Sequence, residues 1–396
     1  MAGRISPYID NTGLVFAYDL ANIKRSYLGE PTTNLIDSVN FTTDYNTSWN
    51  AQENIIQTKN QINPLGDIDV TAIKIESNSN SDNYFGVRGI KFASSGTNHT
   101  FSFWAKGNKA YNNFPINFGA YQIQVTVNIT TEWKYFTVQT GAGTTFTDHT
   151  LHFGGWGTWT DNTFDLFLWR PQLELKSHAT PYANGTRSVT QGLKDLTGNS
   201  TIDLTNVSFD ANAQMTFDGT NDYVEMSSFN IDQNNEFTLE AIIYPNTVSG
   251  NQSIIKKNTS NDNWPIFSMT LIGSNINGYY SSPTYGQCLE GADGTSGIIT
   301  ANKFWHVAYS KGAGGYTTMK LYINGVSVPY SNFLYGSHIN SIATSTKPIH
   351  IGRNLDGASW IQPFNGIIPV SRGYNRQLTD SEIQQNFNAI KGRYGL

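Results

Sequence analysis

Short runs of β-branched and aromatic residues, each closed by Gly, Asn, Asp or Pro, recur along nearly the whole chain and leave it little to form but strands. Segments 69–76 (DVTAIKIE), 99–107 (HTFSFWAKG), 121–130, 132–140 and 164–175 make a first series. Segments 213–226, 236–245, 252–257, 267–273, 304–311 and 319–328 make a second. None has a helical period. In the last of them Asn324-Gly325 separates residues 320–323 from residues 326–328. Asn and Gly tolerate positive φ, so this spacing predicts a two-residue type I′ hairpin.

Helical signals are confined to the end, TDSEIQQNFNAIKGRYGL. Thr379 can cap, and Glu382 three residues on completes a capping box. Ile383, Phe387 and Ile390 share one face, Lys391 suits the negative end, and Gly392 offers a left-handed stop. A helix this short is marginal alone, so it is expected against a sheet.

At 396 residues the chain is too long for one ordinary β-sandwich and comfortable for two. Polar, turn-rich breaks fall at 28–34 and 176–190. Charged residues make up 14%, against about 25% in an average soluble domain. The net charge is −5 and the Lys and Arg are dispersed, which argues against a nucleic-acid partner. No apolar run approaches the roughly 20 residues of a membrane-spanning helix, so membrane insertion is not expected. Cys288 is the single cysteine and excludes an intrachain disulfide. The opening MAGRISPYIDNTG has no apolar core of a secretory signal; with no disulfides either, the expectation is a product made in the cytosol, or released from it by lysis.

The second series resembles the concanavalin A-like lectin/glucanase superfamily, specifically the laminin-G-like jelly rolls of phage and secreted adhesive proteins. The resemblance rests on FDGTNDYVEM (217–226), FTLEAIIYP (237–245), FWHVAYSKGAGGYTTMKLYINGV (304–326) and above all on residues 349–387 with their G-I-I-P-V … Y-N-R-Q-L-T-D-S-E-I ending. GLVFAYDLAN (13–22) looks like the opening strand of the same family, whose next segment, here DLTGNS (195–200), normally follows shortly. The residues between end in LFLWRPQLELKSHATPY (166–182), similar to the close of carbohydrate-binding-module-like jelly rolls in phage tail and virion proteins, with Lys176 where that pattern often has Gly. The resemblance implies an all-β chain of two antiparallel jelly-roll sandwiches and a short C-terminal α-helix. In it, residues 1–32 supply an arm and the first strand of the lectin-like domain, 33–185 an inserted jelly roll, and 186–396 the rest.

Glucanase members of this superfamily carry E-x-D-x-x-E or E-x-D-x-E on one strand. The nearest approach here is Glu236 and Glu240, with Thr238 between them, read as solvent-facing or edge carboxylates. The histidines show no H-x-x-x-H or H-E-x-x-H spacing, and the Gly-rich stretches lack a P-loop lysine, so no catalytic residue is assigned. Laminin-G-like domains often hold calcium, and Asp218, Asn221 and Asp222 form an oxygen-rich turn that is the candidate Ca2+ site; the same residues are ordinary turn formers, and no other cofactor is expected. Aromatics in loop-rich, polar surroundings are the candidate ligand contacts, because a sugar's apolar face stacks on a ring. These are Trp156 and Trp159 in the inserted segment, with Trp264, Tyr279, Tyr280, Tyr285 and Trp360 in the lectin-like one. Trp104, Trp133, Trp169 and Trp305 lie within strand patterns and are expected in the core.

Three functions remain open on this reading. The first is a non-enzymatic phage virion protein on the particle surface, a fibre, decoration or tail-fibre adhesin that binds host glycans. The second is a purely structural virion protein whose jelly rolls contact other virion proteins. The third is a polysaccharide depolymerase. The first two imply a homo-oligomer, with a trimer favoured by analogy to fibres, although no coiled-coil shaft is present to enforce it.

Overall fold

Period-two runs make strands with two different faces, and sandwiches arise when the apolar faces of two sheets meet. The computed structural model describes residues 9–36, 49–51, 55–77, 85–88, 98–119, 123–141, 150–154, 164–227, 235–259, 264–281, 288–313, 315–336, 342, 344–354 and 361–396. Among the described residues strands in antiparallel sheets dominate, and one α-helix, Asp380–Tyr394, lies at the C-terminal end. The described chain divides into two compact units: residues 1–30, 189–210 and 214–396 form one, and residues 31–188 with 211–213 the other.

The smaller unit pairs two five-stranded sheets. One runs Lys134–Gln139, Thr100–Gly107, Asp165–Glu174, Ala72–Ser77, Ile55–Thr58; the other runs Ile123–Ile129, Tyr111–Phe118, Thr150–Phe153, Phe85–Arg88, Trp49–Ala51. Between them Ile73, Ile75, Phe101, Phe103, Leu166 and Leu168 meet Phe114, Ile116, Phe118, Leu151 and Phe153, all buried. Phe103 alone touches Phe101, Phe136 and Phe153 at ring-centroid distances of 4.8, 5.4 and 5.3 Å.

The larger unit pairs two eight-stranded sheets. Its first strand, Leu14–Asp19, lies antiparallel to Asn365–Tyr374, with Asp19 opposite Val370. Phe16 and Tyr18 are fully buried there, and the Tyr18 hydroxyl donates to the Ile368 carbonyl at 2.9 Å. The turn after Asp195 is fastened to this strand. Asp195 accepts the Ala17, Thr197, Asn199 and Ser200 N–H groups at 2.9 to 3.1 Å and the Thr197 hydroxyl at 2.7 Å, while Leu196 N–H donates to the Ala17 carbonyl at 2.8 Å. Asn324 and Gly325 have φ of 50° and 76°, so the hairpin between Lys320–Ile323 and Val326–Val328 has the turn its sequence predicts.

The helix begins with the expected capping box of Thr379 and Glu382. It covers the outer face of one eight-stranded sheet: Ile383 packs with Ala308, Tyr322 and Tyr374, and Ile390 with Ile9, Ile242 and Val370. The stop differs from the expected Gly392. The helix runs on to a left-handed Gly395, φ 67°, because Arg393 pairs with Asp19 at 2.5 Å and Tyr394 packs on Phe304 at 5.0 Å.

Glu240 is not a solvent-facing or edge carboxylate. It lies fully buried under the helix, with its Oε1 2.7 Å from His306 Nε2, while its Oε2 accepts from Arg372 at 3.1 Å and from Asn386 Nδ2 at 3.1 Å. Burial alone would raise its pKa, but Arg372 and His306 outweigh it and hold the carboxyl below its ordinary value. Glu236 accepts the Gln377 N–H at 3.4 Å.

Candidate functional site

In the strand Thr100–Gly107, Phe101, Phe103 and Ala105 face the core, so Ser102, Trp104 and Lys106 fall on the other side. The same parity in Lys134–Gln139 turns Phe136 and Val138 inward and Tyr135 outward; in Asp165–Glu174 it turns Leu166 and Leu168 inward, Phe167 and Trp169 outward. Register then aligns the outward residues. Tyr135 lies opposite Trp104, and Trp104 opposite Trp169, in a row across three neighbouring strands. Ring centroids are 5.5 Å apart for Tyr135–Trp104 and 6.2 Å for Trp104–Trp169. Two strand spacings make the row about 10 Å long.

The strand parity corrects the expectation that Trp104 and Trp133 sit in the core. Trp104 and Trp133 are half-buried on or beside the outer face, and Trp169, though buried, belongs to the outward row. Only Trp305 packs inside its sandwich. Tyr135 is 47% exposed, which leaves its ring open to a ligand.

Polar groups fix this face. The Trp169 indole donates to Asp69 at 2.9 Å. Asp69 also accepts from Thr71 N–H and O–H at 2.8 and 2.7 Å and from Asn63 at 3.3 Å. Burial opposes the Asp69 charge, but those donors prevail and its pKa lies below the ordinary value. In the next row Phe167 lies opposite both Lys106 and Lys74. Lys106 Nζ sits 4.9 Å from the Phe167 ring and 5.4 Å from Trp133. Lys74 is held by Glu76 at 2.6 Å and Asp165 at 3.3 Å, and these contacts raise its pKa. Burial raises the Tyr135 pKa, so its hydroxyl is a neutral donor and acceptor at ordinary pH. The face therefore presents ring surfaces flanked by hydrogen-bonding groups, the chemistry that recognises a polyhydroxylated ring.

The residues singled out by sequence lie elsewhere. Trp156, Trp159, Tyr285 and Trp360 are outside the described residues. Trp264 and Tyr279 are brought onto one outer face of the larger unit, through aromatics the sequence reading missed. Trp264 leans on Tyr335 at 5.3 Å, Tyr279 meets Phe333 edge-on at 5.9 Å, and Phe333 and Tyr335 are two apart on the strand Tyr330–Gly336. The Tyr279 hydroxyl donates to Asp293 and accepts from Asn277 at 3.0 Å. Tyr280 points the other way: it is 1% exposed in the core under Lys311, and so cannot be a ligand contact.

The Asp218 turn serves its own backbone. Asp218 accepts the Thr220 and Asn221 N–H groups at 2.7 and 3.1 Å, and Asp222 accepts the Asp218 N–H at 2.9 Å and the Ser208 hydroxyl at 3.1 Å. Among the described residues no three His, Cys, Asp or Glu side chains are grouped as a metal ion would need.

Residues 218–384 match the family model of the concanavalin A-like lectin/glucanases superfamily. That stretch lies wholly in the larger unit. No curated protein matches the chain. Among solved structures, domain 4 of AbnA, a GH43 extracellular arabinanase from Geobacillus stearothermophilus in complex with arabinotriose, is 17% identical, with a TM-score of 0.36, over 50% of this chain and 92% of that one. The Ruminococcus gnavus IT-sialidase CBM40 bound to alpha2,3 sialyllactose is 16% identical, with a TM-score of 0.31, over 38% and 80%. The binding domain of botulinum neurotoxin serotype D is 17% identical, with a TM-score of 0.35, over 51% of this chain and 49% of that one. At these scores none of the three bears on function.

Proposed function

We propose that this is a non-enzymatic glycan-binding protein carried on the surface of a phage particle, as a fibre, decoration or tail-fibre adhesin. The Tyr135–Trp104–Trp169 row carries the reading, because at its Tyr135 and Trp104 end the rings remain accessible on the outer face and offer stacking surface that a folded core does not require. The lectin-type match over residues 218–384 supports it, and the phage setting rests on the sequence likeness of residues 166–182 to virion jelly rolls. Binding of the purified protein to host cells or a glycan array, lost in Trp104→Ala with Tyr135→Ala, is the expected result. Unchanged binding by that double variant would place recognition elsewhere, and release of oligosaccharides would make the protein an enzyme.

A second reading is favoured by the hairpin Gln61–Ile62 and Ile68–Asp69. Around it Ile62, Leu65, Ile68 and Val70 are 57, 72, 75 and 50% exposed, an apolar tip suited to packing against another copy in an assembly. Leu65→Lys with Ile68→Lys is then expected to lower the oligomeric state read by light scattering. An unchanged mass would remove this reading.

A further inference from the structure

We infer that the aromatic face selects a carboxylate-bearing glycan, an acidic polysaccharide, and that Arg170 is the residue that selects it. The inference rests on the glycan reading above and names its ligand class. At Arg170 the strand Asp165–Glu174 loses register with its neighbour between Trp169 and Gln172. Arg170 sits in this bulge with φ of 50°. A left-handed backbone disfavours a side chain larger than Gly, and the following Pro171 biases Arg170 toward extended geometry instead. Such a conformation persists only where the surroundings impose it, and here it aims an exposed guanidinium across the end of the aromatic row. The Arg170 Cζ lies 4.2 Å from the Trp169 ring centroid and 5.3 Å from that of Tyr182.

The balance of partners on this face points to an anion. Its carboxylates are engaged: Asp69 takes four donors, Glu76 and Asp165 hold Lys74, and buried Glu174 accepts from Thr32 and Thr180. Among the described residues neither Arg170 nor Lys106 has a carboxylate partner, and both are held in place by rings instead. A stacked guanidinium keeps its planar fork of donors oriented without using them, and that fork matches a carboxylate bidentately. Lys106, on the strand beside Asp165–Glu174, adds a second positive charge to the same face.

The test uses the full chain with two probes, polygalacturonate and the same polymer after carboxyl reduction, in about 0.15 M salt to screen diffuse attraction. The wild type is expected to bind the acidic polymer about tenfold tighter, the effect of one charge-assisted pair. Arg170→Gln should erase that difference, with the loss falling on the acidic polymer. Arg170→Gly should erase it too without lowering the melting temperature, since Gly accepts the positive φ freely; a structural Arg would lower it. Equal binding of both polymers by the wild type, lost in Trp104→Ala, would overturn the acidic preference and leave the glycan reading standing. An Arg170→Gln protein that still prefers the acidic polymer would overturn the role of Arg170. Binding of neither polymer by the wild type would overturn the acidic preference, and the glycan-array result decides the glycan reading separately.

Discussion

Replacing Glu240 by Ala should destabilise the larger unit more than any surface change, and the structure supplies the reason. The carboxylate is fully buried and is shared by His306, Arg372 and Asn386, while Asn386 also donates to the Tyr374 hydroxyl at 3.0 Å and accepts the Asp10 N–H at 2.9 Å. Removing it leaves Arg372, 3% exposed, as a buried cation whose counter-charge is gone. Breaking a buried pair from one side costs about 3–5 kcal/mol. For a unit of this size that is a fall in melting temperature of roughly 6–20 °C. Differential scanning calorimetry of the full chain reads it, with Glu236→Gln as a surface control expected within about 0.5 kcal/mol. The pH dependence has a defined sign. The folded pKa of Glu240 is depressed, so its contribution is present above the unfolded carboxylate value of about 4.3 and is lost as pH falls through the folded value. The wild type should therefore lose stability below about pH 4, and Glu240→Ala should show a shallower loss there. A cost under about 1 kcal/mol would mean that water reaches the cluster and that the helix is not its lid.

Four further outcomes follow from single contacts. Asp195→Ala strips four backbone N–H groups of their acceptor and should cost the larger unit about 2–4 kcal/mol by urea unfolding; a cost below 1 kcal/mol would show the turn to be independent of the first strand. Gly325→Ala meets both a φ of 76° and Phe387 Cδ1 2.8 Å from the new Cβ, so a loss of about 1–3 kcal/mol is expected, and no loss would show that the helix shifts freely. Chelation with EDTA should leave the melting temperature unchanged, because the Asp218 turn is satisfied by its own backbone; a clear drop would support calcium binding there. Phe103→Ala should cost the smaller unit about 3–5 kcal/mol, whereas Trp104→Ala, one residue on, should cost about 1 kcal/mol or less and remove glycan binding. Equal destabilisation by the two would return Trp104 to the core.

Features set by neighbours in sequence were readable before the structure. The Asn324-Gly325 turn and the Thr379–Glu382 box each need only a few consecutive residues, and both have their expected geometry. The strands followed from short runs of β-forming residues without helical period, and the jelly-roll sandwiches from the family resemblance. The fate of Glu240 did not, because it depends on which strand the helix chooses: Leu239 and Ala241 show that Glu240 faces away from the core, but only Asn386 and Ile383 show that this face is covered. The helix end was missed by three residues because Arg393 is retained by Asp19, 374 positions away. The aromatic row contained a legible clue. Phe101 and Phe103 fix the inner face of their strand, so Trp104 had to share the side of Ser102 and Lys106. Large rings were taken as core by type, when parity assigned them outside.

Which faces are covered decides where recognition can occur on a β-sandwich. In the larger unit the helix and the Glu240 cluster close one outer face, and its outward aromatics, half-buried Tyr279 with Phe333 and Trp264 with exposed Tyr335, fall on the other sheet. In the smaller unit no described helix covers the sheet that holds Trp104, and its rings meet solvent through Tyr135. Trp169 is buried and contributes to folding, but at the open end the Tyr135–Trp104 cross-strand pair contributes only about 0.2–1 kcal/mol, little enough that Thr or Ser would serve there. A strained Arg170 at the end of that row adds cost instead of stability. Under the glycan reading proposed above, an accessible Tyr135–Trp104 pair at one end of a row that an arginine in a left-handed bulge completes is what a ligand would use, and that is why the outer sheet face, not the core or the rim turn at Asp218, is the place to look for one.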